Sequence, residues 1–176
     1  MLIKFNGITP SVGKDVLICE GAKVIGEVSI GDNASIWYNC VLRGDVNYIK
    51  IGKNTNIQDL TMIHVWHREE GEAESGYPAI IGDNVTIGHS CVIHACHIED
   101  NCLIGMGSIV MDGARIGRDS IVGAGAVVTK GKKFPPKSLI LGNPAKFVRE
   151  LNEEEVEEIA NSAIRYVEFK NQYVKS

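Results

Sequence analysis

Isoleucine, valine or leucine recurs every six residues along most of this chain, and that period restricts its fold more than any other feature. Cut from Val12, successive hexads begin at Val12, Ile18, Val24, Ile30, Ile36 and Leu42. The series continues at Ile51, Ile57, Ile63, Ile81, Ile87, Ile93, Ile98, Ile104, Val110, Ile116, Val122 and Val128. The register breaks three times: three extra residues before Ile51, a twelve-residue excursion after the hexad of Ile63, and one residue lost between Ile93 and Ile98. An amphipathic helix repeats near 3.6 residues and a strand alternates with period two, so neither produces a period of six. A parallel β-helix with short flat faces does. Three hexads make one coil, and the eighteen hexads predict an all-β solenoid of about six coils.

The fifth residue of fifteen of the eighteen hexads fits a narrow interior. It is Val16, Ala22, Val28, Ala34, Cys40, Val46, Thr55, Thr61, Val85, Cys91, Cys102, Ser108, Ala114, Ser120 or Ala126, each small or β-branched. Three of the five cysteines thus stand where a small apolar group is wanted. Their odd number and the lack of CxxC spacing argue against a disulfide framework or a thiolate zinc site.

A repeat array needs caps at its open ends. Beyond Gly142-Asn-Pro-Ala145 the period is lost, and residues 151–176 read as a helix. Asn152 is placed to cap it, with Glu155 three residues on as in a capping box. Val156, Ile159, Ala160, Ala163, Ile164 and Val167 form one apolar stripe, to be buried on the β-helix or on a neighbouring subunit. The expected organisation is a β-helix domain over 1–150 and a C-terminal helix over 151–176. A net charge of −4 without a long basic run gives no sign of nucleic-acid binding. With no signal-like segment and no apolar run of membrane-spanning length, the chain reads as soluble and cytoplasmic, with no membrane partner.

Stacking the hexads by threes puts Ile63 and Ile93 on the same face of successive coils. His64 and His94, each second in its hexad, then point outward in one column although thirty residues separate them. Neighbouring parallel strands lie about 4.8 Å apart. Two imidazoles at that spacing reach one ion at about 2.0–2.1 Å per Zn–N bond. His89 is third in its hexad on the adjacent face, near a corner, and within one chain it does not meet the other two. Side-by-side packing around a threefold axis would bring it to the His64/His94 face of the next chain. The metal reading therefore implies a homotrimer. Single outward histidines are otherwise surface residues, and His67 and His97 are left in that class, with His67 placed to relay protons.

Polar residues surround that column. Arg43 lies one coil before His64, with Asp45 two residues on, and Asn56, Gln58 and Asp59 lead into it. Arg43 with Asp45 or Asp59 can form ion pairs across a subunit boundary. Gln58 and Asn56 can orient a bound water or a small polar substrate, as outer groups do at zinc sites.

Leu42-Arg-Gly-Asp45, Asn56-Ile-Gln-Asp59, His64, Gly88-His89, Ile93-His94 and Ile104-Gly-Met-Gly107 together resemble the gamma-class carbonic anhydrase family. The resemblance covers nearly the whole chain, and hexapeptide-repeat acyltransferases do not share its histidine set. It implies a left-handed parallel β-helix, a homotrimer and a metal between subunits held by His64, His89 and His94. Arg43 and Asp45 match the family's ion-pair residues, and Asn56, Gln58 and Asp59 match the groups that organise water and substrate. The implied activity is reversible hydration of CO2 to bicarbonate by a metal-bound hydroxide, with Zn2+, or Fe2+ or Co2+, as cofactor. The family's type enzyme has a long acidic loop with a glutamate proton shuttle. Here the matching segment, residues 68–79, is short but carries Glu69, Glu70, Glu72 and Glu74. The alternatives are an acyl-coenzyme A-dependent acyltransferase, in which one histidine is a general base, and a non-catalytic metal-binding assembly subunit.

Overall fold

Inward-pointing residues at the same place in successive coils must stack on one another, and the computed structural model, which describes residues 1–68 and 76–175, shows those stacks. On the first face the parallel ladder pairs Val24 with Leu42, Leu42 with Ile63, Ile63 with Ile93, Ile93 with Val110 and Val110 with Val128. On the second, Ile30, Ile51, Ile81, Ile98, Ile116 and Phe134 are in register. On the third, Ile18, Ile36, Ile57, Ile87, Ile104, Val122 and Ile140 are. The chain is a left-handed parallel β-helix of about seven turns with a single C-terminal helix. The expected six become about seven because Phe134 and Ile140 extend two of the columns past Val128.

Corners make the flat faces possible. The fourth residue of a hexad commonly takes the left-handed conformation: Asn33, Asn54, Asn84 and Asp119 have φ between 54° and 59°. Asn and Asp tolerate this region better than other side-chain-bearing residues. Close stacking at the corners also excludes side chains, since a Cβ on Gly52 would come within 2.3 Å of the Gly82 carbonyl oxygen. Inside the coils, small polar groups donate to carbonyls of the following coil, Thr55 Oγ1 to Gly82 at 2.7 Å and Thr61 Oγ1 to Gly88 at 3.0 Å. The Cys40 thiol does the same toward Gln58 O at 3.0 Å. All five cysteines are buried and free, and burial pushes the thiols of Cys40, Cys96 and Cys102 up to about 12.

Two features differ from the sequence expectation. Val46 does not fill the interior. It is exposed, and Ile49 takes its place opposite Val28 and Ala79. The three extra residues are looped out there, where the register between strands Lys23–Ile30 and Val41–Ile51 shifts after Gly26. Second, the coil does not pass directly into the helix. Strands Ser138–Gly142 and Ala145–Glu150 first form an antiparallel hairpin that closes the last coil.

The helix, Glu153–Lys175, then runs back along the third face of its own β-helix, over strands Ser35–Ile36, Asn56–Ile57 and Thr86–Ile87. Its capping box is made: Glu155 N–H donates to Asn152 Oδ1 at 2.8 Å and Asn152 N–H to Glu155 Oε2 at 3.0 Å. Ile159 and Ala163 are buried as expected, but Ile164 is exposed, and Ser162 and Lys170 are buried instead. The face beneath is partly polar, so it takes Ser162 against Thr86 and Lys170 Nζ against the Asp15 carbonyl at 2.7 Å. Among the described residues, no helix is long and apolar enough to cross a membrane.

Candidate metal centre

A backbone ladder of this regularity fixes where outward side chains meet. His64 and His94 end two short strands, Met62–His64 and Val92–His94, and are directly opposed in the parallel register. Their ring centroids are 5.2 Å apart, and His64 Nδ1 faces His94 Nε2 at 3.1 Å. The far nitrogen of each ring meets a carboxylate. His64 Nε2 lies 2.9 Å from Asp45 Oδ1, and His94 Nδ1 bonds to Asp112. A carboxylate accepts only, so each neutral ring puts its proton on that side and its lone pair toward the other ring. Two lone pairs then converge between the rings, an arrangement that a proton or a metal ion must bridge. Tetrahedral zinc at about 2.0–2.1 Å per bond needs ligand nitrogens about 3.3 Å apart, close to the separation found.

Electrostatics around the pair favour neutral imidazole on His64. Burial lowers its pKa, opposed by the hydrogen bond with Asp45 and helped by the charge of Arg43. For Asp45, burial works upward, but the hydrogen bonds with His64 and Arg43 outweigh it and hold the carboxyl below its ordinary value. Arg43 pairs with Asp45 inside the same chain. Because Gly44 separates them, both side chains project from one side of the strand and close the pair locally.

His89 stands apart. It follows strand Thr86–Ile87 at the corner between the third and first faces, and its Nδ1 lies 2.7 Å from Asp59 Oδ2. A cavity of about 370 Å³ opens beside it, lined by Trp37, Tyr38, Asp59, His89, Tyr166 and Tyr173 among others. Among the described residues of one chain, no three His, Cys, Asp or Glu side chains come together as a metal-binding group. The structure thus unites His64 and His94 with Asp45 and Arg43, but leaves His89 with Asp59 at a separate corner.

Gln58 and Asn56 are both buried. Gln58 Nε2 donates to Asn56 Oδ1 at 3.1 Å, and Asn56 Nδ2 donates to Thr86 Oγ1 at 2.9 Å. Thr86 in turn meets Ser162 of the helix at 3.2 Å. This polar chain lies between the third face and the helix that covers it. His67 is exposed and stacks on Trp66, with ring centroids 5.3 Å apart. Glu69, Glu70, Glu72 and Glu74 lie outside the described residues. Asp112 was not among the residues singled out from sequence. The available signal was its position two residues after Val110, the residue stacked on Ile93.

Comparison with known proteins bears on this arrangement. A model of bacterial transferase hexapeptides (six repeats) matches residues 9–44 and 95–130, and one of the hexapeptide repeat of succinyl-transferase matches residues 78–94. The chain is 46% identical over 159 residues to gamma carbonic anhydrase 2, mitochondrial, of Arabidopsis thaliana, an alignment that covers 90% of this chain. It spans only 56% of that plant protein's length. To the carbonic anhydrase of Geobacillus kaustophilus it is 42% identical over 176 residues, covering 100% of this chain and 92% of the other. A solved hexapeptide transferase family protein from Anaplasma phagocytophilum superposes with a TM-score of 0.90 at 44% identity, over 98% of both chains.

Proposed function

This chain belongs to the gamma carbonic anhydrase family, and we propose that it catalyses the reversible hydration of CO2 to bicarbonate at metal centres between the subunits of a homotrimer. His64 and His94 of one subunit and His89 of the next hold the metal. The observation that carries this reading is the pair of imidazole lone pairs converging at 3.1 Å, each ring fixed from behind by a carboxylate. His89 offers a third nitrogen with the same support from Asp59. Three neutral imidazoles suit zinc, and iron or cobalt also accept them.

A zinc ion bound this way would act as a Lewis acid and lower the pKa of water to about 7. The chain's own residues do the rest. Asp45, Asp59 and Asp112 hold the three rings. Arg43 keeps Asp45 ionised and placed, and Gln58, steadied by Asn56, orients the attacking water and the forming bicarbonate. The proton leaves to solvent, with His67 as its relay. The Arabidopsis and Geobacillus relatives bear the name carbonic anhydrase, and the family supports a metal cofactor in general.

The test is metal content and CO2 hydration on one preparation. The metal-loaded protein is expected to hold one equivalent per chain and to hydrate CO2, and His94→Ala to lose most of both. Full metal retention by His94→Ala would refute the ligand set. Metal without hydration would favour the assembly-subunit alternative, and acetylation of an amine from acetyl-coenzyme A without metal would favour the acyltransferase.

A further inference from the structure

Two carboxylates stand behind the facing histidines, but they are not equivalent. Asp45 pairs with Arg43 as well as with His64. Asp112 comes from a different coil. It follows Ile109–Val110, the strand stacked on Val92–His94, and its carboxylate reaches back across the coil spacing to His94 Nδ1. The Asp112 side chain is 13% exposed and that of His94 28%, so the contact is largely shielded from water. Its backbone is held too, since Gly131 N–H donates to the Asp112 carbonyl at 2.8 Å.

From this geometry we infer that Asp112 is a positioning residue for the proposed metal centre: it keeps the proton of His94 on Nδ1 and so presents Nε2 toward His64. The inference rests on the metal reading above and deepens it. An unconstrained imidazole can place its single proton on either nitrogen and can turn about its χ2 bond. A carboxylate behind Nδ1 removes both freedoms, because the other tautomer would set a nitrogen lone pair against a carboxylate oxygen. Such outer partners of ligating histidines change metal affinity by about 10–100-fold when removed. Asp112 reaches His94 from the following coil, so the coil stacking itself, and not only the strand bearing His94, orients this ligand.

The experiment compares Asp112→Ala, Asp112→Asn and His94→Ala with the parent. Co2+ affinity is measured by competition with a chromophoric chelator, and assembly by light scattering. In the metal-free proteins, 15N shifts of the histidine rings report the tautomer of His94. Asp112→Ala is expected to bind Co2+ about 10–100-fold more weakly, at unchanged assembly mass, with His94 no longer held as the Nδ1–H tautomer. Asp112→Asn, whose amide oxygen still accepts from Nδ1–H, is expected to fall between parent and Asp112→Ala. If His94→Ala loses metal while Asp112→Ala binds Co2+ like the parent, Asp112 has no positioning role and the metal reading stands. If His94→Ala also keeps full affinity, the metal reading itself fails. Loss of assembly mass in Asp112→Ala, with the His94 tautomer unchanged, would assign Asp112 to assembly and overturn the inference as well.

Discussion

Gln58 is placed to act through orientation, because its carboxamide is not free to wander. It is 6% exposed, and its Nε2 donates into the chain formed by Asn56, Thr86 and Ser162. Truncating it removes the outermost link of that chain and leaves the histidines and their carboxylates in place. Gln58→Ala is therefore expected to keep metal content and assembly mass while slowing CO2 hydration, measured by stopped flow. Oriented hydrogen bonds to developing charge contribute roughly 10²–10³ in rate, with less expected at a partly wet site. Hydration at the parental rate would remove Gln58 from the proposed mechanism. At this scale the period-six register was enough to place His64 and His94 in one column, because the second position of a hexad always points outward. Asp112 was not legible in the same way. It is third in the hexad of Val110, and its approach to His94 depends on side-chain reach across a coil, which strand alternation does not specify. The Arg43 ion pair was expected across a subunit boundary, with Asp45 or Asp59, and is instead closed with Asp45 inside one chain, because spacing puts both residues on the surface and is silent on which way each turns.

Among the elements, the helix illustrates which signals survive in sequence. Its start was legible, since capping is local chemistry among Asn152, Glu155 and the backbone between them. Its buried stripe was legible only in part. Ile159 and Ala163 are buried, whereas Ile164 gives way to Ser162, because the partner surface is a polar column and apolar periodicity carries no record of a partner's chemistry. Val46 and Ile49 make the same point for the coils, where three inserted residues transfer the inward role along the strand. The cap also carries a pH dependence. The Arg149 guanidinium beside Glu155, followed by the Asn152 N–H, lowers the Glu155 carboxyl from 4.5 to about 2. A folded value below the unfolded one means that Glu155 contributes stability above 4.5 and loses it as pH falls toward about 2. In thermal unfolding, Glu155→Gln is expected to be less stable than the parent at neutral pH, with the difference closing as pH falls through that window. Asn152→Ala removes the reciprocal acceptor and is expected to cost about 1 kcal/mol at neutral pH. A difference between Glu155→Gln and the parent that is constant with pH would show that the carboxylate charge contributes nothing at this cap.

For the whole molecule, one exposed side chain carries opposite costs in a single chain and in an assembly. Leu60 is 62% exposed with φ of 64°, a left-handed conformation that ordinary side chains avoid at a cost of roughly 1–2 kcal/mol. Comparable corners elsewhere carry Asn33, Asn54 and Asn84. A leucine there is unfavourable twice in an isolated chain, through backbone strain and through exposed apolar surface. Its place in the fold suggests what offsets this. Leu60 follows Asp59, the partner of His89, and on the next coil but one Met106 is 60% exposed, directly before Gly107, whose N–H donates to the His89 carbonyl. Two exposed apolar side chains thus bracket the corner that, in the proposed trimer, meets the His64/His94 face of a neighbour. Leu60→Asn separates the two costs. Asn fits the corner, so the substituted chain is expected to relieve about 1 kcal/mol of backbone strain. The same change removes apolar area from the proposed interface and should weaken assembly. Sedimentation of the parent is expected to give a mass near three times the 19.2 kDa chain. Leu60→Asn is expected to shift toward smaller species on dilution and to release metal as it does so, because His89 is then separated from the other two ligands. At concentrations where it is fully dissociated, its fold should unfold at a temperature no lower than that of a monomeric Met106→Glu control. A Leu60→Asn protein that assembles like the parent and unfolds earlier would show that Leu60 serves its own chain and not the interface.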